Sequence, residues 1–487
     1  MDALTLTKIL GTDTSLLYDG NFEVSYLSFD TRKIIHPKET LFIAIEGSIQ
    51  DGHSFIMEAI DAGVRNIVVN KFIGFLTAEV NVFKVDDTLG AFQKISAFHR
   101  SLFSELEVIG ITGSNGKTIV KEWLAQLLND KKVVKSPGSY NSQTGVPLSV
   151  WQISKGDQIA IFEAGISQPG EMTRLQYVIN PTLGIFTNIG DAHDAGFADR
   201  TQKLDEKLNL FVNCRTVVYC ADDKMVHTKM RERCHNASFA SWGFDDDATL
   251  IKILSVKSAQ DSSQIKCLYQ GKEYALSLPF TDRASLENAM HCVATMWILE
   301  YSFETIQKRI LELEHIPMRL EMKQGIKNSI LINDTYNADL QSFKIGLEFL
   351  SQQSVDRERM VILSEFQQLS TSKEGFIKEI SSLLHKYNVE HVITIGEHLK
   401  PLERYLNPFV LFTNYPKTDS LLQNLHKLPI EDKAIMIKGA RVFALDRISQ
   451  ILSDKGHTAV LETDLLAVEH NLTYFSSLLE KMSKLLL

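Results

Sequence analysis

The sequence predicts an α/β protein with largely parallel sheets, divided into about three domains. The chain has 487 residues, and globular domains commonly hold roughly 100 to 200. It is 44% apolar and 23% charged, so it can form large cores. Short apolar runs typical of strands alternate with helical patterns along most of the chain. Because crossover helices connect parallel strands, this alternation is typical of doubly wound sheets.

The first predicted domain, residues 1–103, is a small α/β unit. Apolar runs predict strands at 40–45 and 66–69, and the stretch between them predicts a helix at 54–62.

The second predicted domain, residues 104–315, opens with a strand at 107–112, followed by a glycine-rich turn and a helix. Three further apolar runs predict buried strands at 158–162, 183–187 and 216–219. Parallel strands with helices between them therefore form the expected core of this domain.

The third predicted domain, residues 316–455, repeats the alternation. Four apolar runs predict its strands, at 329–332, 360–363, 391–395 and 434–437. The remaining segment, 456–487, reads as one strand and one amphipathic helix, which is too little for a domain of its own.

Composition excludes several classes of protein. The net charge of −9 argues against a general binder of nucleic acid or anionic membranes. No run approaches the roughly 18 apolar residues of a membrane span, and the first residues do not resemble a signal peptide. Five scattered cysteines without a C-x-x-C pair indicate a reduced, cytoplasmic protein without a zinc site: Cys214, Cys220, Cys234, Cys267 and Cys292.

The strongest local motif is a short glycine-rich loop between the strand at 107–112 and the following helix. It reads Gly113-Ser114-Asn115-Gly116-Lys117-Thr118. Glycines let backbone N–H groups approach phosphate oxygens, and the helix N-terminus adds a favourable dipole. Lys117 would reach the β- and γ-phosphates, and the Thr118 hydroxyl would bind Mg²⁺. The usual early glycine is replaced by Ile111, and the alternative is a plain turn with an exposed lysine.

Other polar residues follow the predicted strands, where ligands bind in such sheets. Glu163 could supply an oxygen ligand to Mg²⁺, and His193 could bind a metal or act as a base. The alternative for each is an ordinary exposed polar residue. Lys203 and Lys207 lie off the apolar face of a helix at 201–212, so periodicity alone predicts that both face solvent.

Two polar groups follow strands of the third domain. One is Asp334-Thr335-Tyr336-Asn337, and the other is Lys438-Gly439-Ala440-Arg441. Two cations around a glycine could bind a carboxylate or a phosphate, or could simply begin a basic helix.

The order of these motifs resembles the Mur ligases, the ATP-dependent amide-bond enzymes of peptidoglycan synthesis. The glycine loop, the segment 140–147, Glu163, the segment 187–193, Asn288 and Arg319 recur in the family's order. The resemblance implies a small N-terminal domain, a central P-loop-type ATPase domain and a Rossmann-like C-terminal domain. Within the family, the branch that adds D-alanyl-D-alanine to UDP-N-acetylmuramoyl-tripeptide fits best. Four segments favour it: 28–32, 42–47 together with 51–53, 334–339 and 438–441.

The resemblance also implies roles for individual residues. Thr118 and Glu163 would bind one Mg²⁺, and His193 would bind a second together with a carbamylated lysine. Lys207 matches the family pattern for that lysine, since Leu210-Phe211 follows it, whereas Lys203 does not. The UDP part of the substrate would lie near Ser28, Asp30, Thr31, Arg32, Asn141 and Thr144.

The nucleotide and the dipeptide complete this implied site. Asn288, Asp334 and Tyr336 resemble adenine and ribose contacts, and Arg319 resembles a phosphate contact. Asn337, Lys438 and Arg441 would face the dipeptide or the phosphates. Departures from the family pattern occur at 142–144, 364–370 and Asp339, and they concern the dipeptide contacts.

The implied reaction passes through an acyl phosphate, with Lys117, Glu163, His193, Lys207 and Arg319 as the catalytic residues and closure of the third domain onto the second. The rivals are another Mur ligase or folylpolyglutamate-type ligase, and a regulatory protein that binds ATP without catalysis. Residues 460–472 resemble the start of an alanine racemase. We therefore expect a ligase–racemase fusion whose racemase part is missing here, without pyridoxal phosphate.

Overall fold

The computed structural model describes residues 1–12, 18, 21–47, 50–71, 79–190, 196–245, 250–259, 262–316, 319–336, 338–354, 356–366 and 373–454. Three sheets follow one another along these residues, each flanked by helices, which confirms the predicted α/β class. The segment that resembles a racemase lies outside the described residues, and the three predicted boundaries between the four segments stay predictions.

The first sheet has four parallel strands in the order β1-β2-β3-β4. Apolar side chains fill both faces, so the sheet lies between two small cores. Its elements are α1 (Ala3–Leu10), β1 (Tyr26–Ser28), β2 (Thr40–Ile43), α2 (Ile56–Asp61), β3 (Asn66–Val69), β4 (Asn81–Lys84) and α3 (Thr88–Ser101).

The second sheet has nine strands in the order β13-β12-β11-β10-β9-β8-β5-β7-β6. Its elements are β5 (Glu107–Thr112), α4 (Lys117–Leu127), β6 (Val133–Lys135), α5 (Gly145–Val150), β7 (Ile159–Glu163), α6 (Glu171–Ile179), β8 (Leu183–Phe186), α7 (Arg200–Leu208), β9 (Thr216–Cys220), α8 (Lys224–Arg233), β10 (Ser238–Gly243), β11 (Ile251–Ser258), β12 (Ser263–Tyr269), β13 (Lys272–Leu278), α9 (Arg283–Ile298) and α10 (Phe303–Ile310).

The position of β5 in this sheet determines where a ligand can bind. β5 pairs in parallel with β7 on one side and β8 on the other, so that β6 and β7 lie on one side of it and β8 and β9 on the other. A crevice forms at such a switch point, beyond the carboxyl ends of the strands. The glycine-rich loop follows β5 directly and therefore lies at this crevice.

Strands β11, β12 and β13 are antiparallel, and the sequence interpretation did not include them. Alternating burial along β12 shows one face on the core and one face toward solvent. A half-exposed antiparallel ribbon lacks the continuous apolar run by which the parallel strands were recognised.

The third sheet has six strands in the order β14-β15-β19-β16-β17-β18, parallel except for the edge strand β14. Its elements are β14 (Glu321–Gln324), β15 (Ile330–Asp334), α11 (Leu340–Gln353), β16 (Arg359–Ser364), α12 (Lys373–Lys386), β17 (His391–Ile395), β18 (Leu411–Tyr415), α13 (Thr418–Asn424), β19 (Ala434–Lys438) and α14 (Asp446–Leu452). Among the described residues, no helix combines the length and the apolar character needed to cross a membrane.

Candidate functional site

The glycine-rich loop has a backbone that only glycine accommodates at two positions. Gly113 has φ +144° and Gly116 has φ +84°. A Cβ atom at Gly113 would lie 2.0 Å from Oγ1 of Thr187, and one at Gly116 would lie 2.2 Å from Oδ1 of Asn288. The loop is therefore packed closely against the end of β8 and against α9, and its N–H groups start helix α4.

The residues after β8 hold this loop in place. The Ser114 N–H donates to the Asn188 carbonyl over 2.8 Å, and the Asn115 N–H donates to Oδ1 of Asn188 over 3.0 Å. The N–H of Gly190 donates to Oγ of Ser114 over 2.9 Å. The glycine-rich loop 113–118 is called the phosphate loop from here on. The segment after β8, predicted as a loop near the phosphates, thus holds the phosphate loop in place by hydrogen bonds.

Lys117 is the first residue of α4, and its ammonium group folds back over the loop. It donates to the carbonyls of Gly113 and Ser114 over 2.7 and 2.8 Å. Burial lowers the pKa of Lys117 to about 8, with Glu163 opposing and Arg319 adding to this effect. An arriving phosphate would raise the pKa of this lysine again, because a neighbouring anion stabilises the ammonium form.

Thr118 and Glu163 meet at the start of the same helix. The Thr118 hydroxyl donates to Oε2 of Glu163 over 2.9 Å and lies 3.0 Å from Oγ of Ser139. Glu163 is the last residue of β7 and is fully buried. Its Oε1 atom accepts no hydrogen bond from the described residues, although the Lys121 ammonium lies 3.0 Å away.

These two oxygen donors fit a magnesium ion. Mg²⁺ prefers oxygen ligands and is commonly held by one or two protein groups together with substrate phosphates and water. No cluster of three or more His, Cys, Asp or Glu side chains suited to a metal occurs in the described part of the chain. A hydroxyl and one carboxylate beside a phosphate loop suit a cation that arrives with a nucleotide.

Helix α7 brings two lysines under the phosphate loop. Lys203 and Lys207 are both buried, so the prediction from periodicity that they face solvent is wrong. Nζ of Lys207 donates to the Gly113 carbonyl over 3.0 Å, and Nζ of Lys203 donates to the carbonyl of Gly190. Hydrogen bonds to these backbone carbonyls offset the free-energy cost of removing the two ammonium groups from water.

A cleft opens between the phosphate loop, α9 and the third sheet. Arg319 reaches it from the connection between the second and third sheets, donating to Oγ of Ser139 over 2.9 Å. The aromatic ring of Tyr336 lies 4.2 Å from the Arg319 guanidinium and 5.8 Å from that of Arg441. Asn288 lines the same cleft.

Asp334 and Lys438 form a buried pair at the wall of this cleft. Asp334 ends β15, Lys438 ends the adjacent β19, and their side chains lie 2.6 Å apart. Lys438, Arg319 and Tyr336 are thus brought together at the same crevice as the phosphate loop, although they come from different parts of the sequence.

The residues predicted to bind the UDP moiety form a separate local network in the first α/β unit. Asp30 makes a two-pronged pair with Arg32, over 2.8 and 3.0 Å, and this hydrogen bond lowers the pKa of Asp30. Thr31 donates to Glu58 over 2.8 Å, and Oγ of Ser28 donates to the Asp30 carbonyl over 2.9 Å.

One contact connects that network with the central sheet. Nζ of Lys33 donates to the Tyr140 hydroxyl over 3.2 Å. Asn141 follows Tyr140, and its carbonyl accepts the N–H of Gly165, two residues after Glu163. Thr144 directly precedes α5 in the same loop, without a capping hydrogen bond from its side chain. The predicted residues of the first unit and of the central loop therefore face one another across this contact.

Two of the predicted site residues, His193 and Asn337, lie outside the described residues. Conversely, the structure brings several residues to the site that the sequence interpretation missed. They are Lys121, Ser139, His291 and Gln341. A signal existed for Lys121 alone, since it follows Lys117 by one helical turn and so shares a face with it.

A nucleotide-type phosphate loop lies at the switch point of a nine-stranded sheet, preceded and followed by smaller α/β units, and this arrangement resembles the Mur ligases. The central part of the chain matches that family. The model of the Mur ligase middle domain matches residues 111–296, which contain the phosphate loop, Glu163, both lysines of α7 and Asn288.

Curated relatives extend the similarity beyond that segment. The chain is 26% identical to the UDP-N-acetylmuramoyl-tripeptide–D-alanyl-D-alanine ligase of Bacillus subtilis (strain 168), over 86% of this chain and 91% of that protein. It is 27% identical to the ligase of the same name from Rickettsia prowazekii (strain Madrid E), over 91% of this chain and 98% of that protein.

Solved structures share the fold. A crystal structure of MurF from Acinetobacter baumannii matches with a TM-score of 0.79 at 21% identity, over 92% of this chain and 98% of that one. The MurF ligase of Thermotoga maritima in complex with ADP matches with a TM-score of 0.74 at 21% identity, over 88% and 96%. The three-part Mur ligase architecture expected from the sequence is thereby confirmed.

Proposed function

We propose that this protein is the ATP-dependent ligase that joins D-alanyl-D-alanine to UDP-N-acetylmuramoyl-tripeptide, in the cytoplasmic synthesis of peptidoglycan precursors. The shared name of relatives that align over most of the chain supports the choice of substrates. The Thr118–Glu163 contact at the phosphate loop carries the chemical part of the proposal, because it places a carboxylate where an ATP-bound cation is needed.

ATP would bind with its phosphates on the loop 113–118 and its base in the cleft beside Asn288. Asp334 and Tyr336 would contact the ribose and the base. Lys117 and Arg319 would lie against the phosphates, where their fixed charges stabilise the charge that develops during phosphoryl transfer.

Mg²⁺ would be held by Thr118 and Glu163 and would neutralise phosphate charge. We include a second ion in the proposal, held by His193 and by Lys207 as a carbamate. Carbamylation requires the ammonium group to lose one proton, after which the neutral Nζ bonds to the carbon of CO₂ and a second proton leaves. It turns a cation into an oxygen donor that suits Mg²⁺.

The proposed reaction begins with attack of the tripeptide carboxylate on the γ-phosphorus of ATP, which releases ADP and gives an acyl phosphate. The amine of D-alanyl-D-alanine then attacks the acyl carbon, and phosphate leaves. The protein contributes mainly by positioning these groups and by excluding water. Closure of the third unit would bring Arg441 and Asn337 toward the dipeptide.

The first α/β unit would hold the UDP part of the acceptor through Ser28, Asp30, Thr31 and Arg32. Asn141 and Thr144 would contact the same substrate from the central unit. The Lys33–Tyr140 hydrogen bond supports this arrangement, because it joins the two groups of residues across the interface.

The test is a coupling assay with purified protein. ATP, Mg²⁺ and UDP-N-acetylmuramoyl-tripeptide are supplied with or without D-alanyl-D-alanine, and phosphate and the UDP-pentapeptide are quantified. We expect multiple-turnover phosphate release only with the dipeptide, with one pentapeptide formed per phosphate. Sustained release that ignores the dipeptide, or release without pentapeptide, would contradict the proposed function.

A further inference from the structure

Lys121 is a fully buried cation directly behind the magnesium carboxylate. Its Nζ atom lies 3.0 Å from Oε1 of Glu163 and 3.0 Å from Oε1 of Glu122, and its side chain has no exposed surface. It also donates to the carbonyl of Ser136 over 2.8 Å and to that of Gly138. A buried ammonium group is retained only when it is well paired, and this one meets four oxygen-bearing groups.

We propose that Lys121 is a positioning residue that fixes Glu163 as a metal ligand and at the same time fixes the loop after β6. The inference rests on the proposed function, since it takes Glu163 to be a ligand of Mg²⁺. Lys121 meets Glu163 at Oε1, and Thr118 meets it at Oε2. A carboxylate held at both oxygens has one orientation, and partners behind metal ligands commonly serve to fix that orientation.

The same ammonium group controls a second part of the site through the backbone. Its two carbonyl acceptors, at 136 and 138, lie three residues and one residue before Ser139. Oγ of Ser139 lies 3.0 Å from Oγ1 of Thr118 and accepts the Arg319 guanidinium over 2.9 Å. Lys121 therefore connects the magnesium ligands with the arginine that is expected to meet the phosphates.

Lys135 provides a matched control on the same acidic partner. It also pairs with Glu122, but it is partly exposed and makes no ion pair with Glu163 among the described residues. Lys121→Met and Lys135→Met remove one charge each and leave side chains of similar length. An effect seen in Lys121→Met and absent from Lys135→Met would therefore arise from the contact with Glu163 and not from the contact with Glu122.

The experiment measures Mn²⁺ binding by electron paramagnetic resonance, with ADP present and no acceptor, so that no turnover is required. We expect Lys121→Met to weaken Mn²⁺ affinity by about 10- to 100-fold. ADP affinity without metal should change by less than about threefold, and Lys135→Met should behave as the unaltered protein. Unchanged or tighter Mn²⁺ binding in Lys121→Met would overturn the inference.

Two further variants separate this inference from the proposed function and guard against loss of folding. Glu163→Gln should also weaken Mn²⁺ binding, and if it does not, the magnesium site itself is wrong. The double variant Lys121→Met/Glu163→Gln removes both charges of the buried pair, so it should fold even where the single lysine variant does not. If Lys121 acts through Glu163, the double variant loses no more affinity than Glu163→Gln, whereas an additive further loss would contradict the positioning role.

Discussion

The indole N–H of Trp242 donates to Nδ1 of His291 over 3.1 Å, deep inside the central domain. Nε2 of His291 lies 3.1 Å from the carbonyl of Thr187, the residue that packs against the phosphate loop. Because Nδ1 accepts, Nε2 must carry the proton and donate to that carbonyl. His291 lies on helix α9, one turn beyond Asn288. Its neutral imidazole therefore connects this helix with Thr187, which packs against the phosphate loop.

We predict that this histidine makes the protein sensitive to acid. Burial lowers the pKa of His291 to about 4, against about 6.5 in an unfolded chain. The unfolded state therefore binds more protons between these two values, so stability rises with pH across the window. The contribution is fully present above about pH 6.5 and is lost as the pH falls toward 4, a change on the order of 3 kcal/mol.

The check is chemical denaturation at a series of pH values from 4 to 7.5. The variant His291→Gln keeps polar atoms at the site but does not titrate, so its stability should fall less steeply between about pH 6.5 and 4. Equal slopes for both proteins would show that other groups determine the acid sensitivity.

A second prediction compares two glycines with almost the same backbone. Gly116 and Gly170 have φ +84° and +83°, and each precedes a helix. A Cβ atom at Gly170 meets nothing within 4 Å, whereas one at Gly116 collides with the Asn288 amide. Both Gly→Ala variants should lose about 1 to 2 kcal/mol of unfolding free energy from the left-handed conformation.

Only Gly116→Ala should lose nucleotide binding, by at least roughly tenfold in ADP affinity, because the displaced loop can no longer surround the phosphates. Isothermal titration calorimetry with ADP, together with denaturant melts, measures both quantities. Comparable ADP affinity in the two variants would contradict the placement of the phosphates on this loop.

The sequence predicted ten of the parallel strands, because their buried segments are continuous apolar runs, but it missed β1, β4, β6, β10 and β18. The strand 391–395 is found as predicted, and β7 and β8 differ by a residue at their ends. The phosphate loop was predictable for a similar reason, since glycine, lysine and threonine each have a local requirement there.

The lysines of α7 show what periodicity could not predict. Lys203 and Lys207 occupy polar positions of an amphipathic helix, and such positions usually face solvent. They are buried because two other segments, the phosphate loop and the segment after β8, turn backbone carbonyls toward that polar face. Contacts between segments so distant in the chain are a property of the tertiary fold, as is the position of Ser139 between Thr118 and Arg319.

A third prediction concerns the ring of Tyr336, which lies near two guanidinium groups. The Arg319 group lies 4.2 Å from the ring centre, within the range of a cation–π contact. Tyr336→Phe keeps the ring and should change ADP affinity by less than about twofold, whereas Tyr336→Leu should weaken it by roughly tenfold. Equal affinities of the Phe and Leu variants in calorimetric titrations would show that the ring does not hold Arg319 for the nucleotide.

The last prediction tests the proposed carbamate. Lys207→Met should reduce pentapeptide formation below about 1% of the unaltered rate, because an oxygen donor for a cation is lost. ADP affinity should stay within about threefold, since the nucleotide contacts lie on other residues. Lys229→Met is the control, because Lys229 lies on α8 and pairs with Asp205 of α7, the helix that carries Lys207. Carbon-13 NMR of protein kept in labelled bicarbonate should show one carbamate signal that is absent from Lys207→Met and retained in Lys229→Met. Coupling that survives in Lys207→Met would remove this lysine from the reaction.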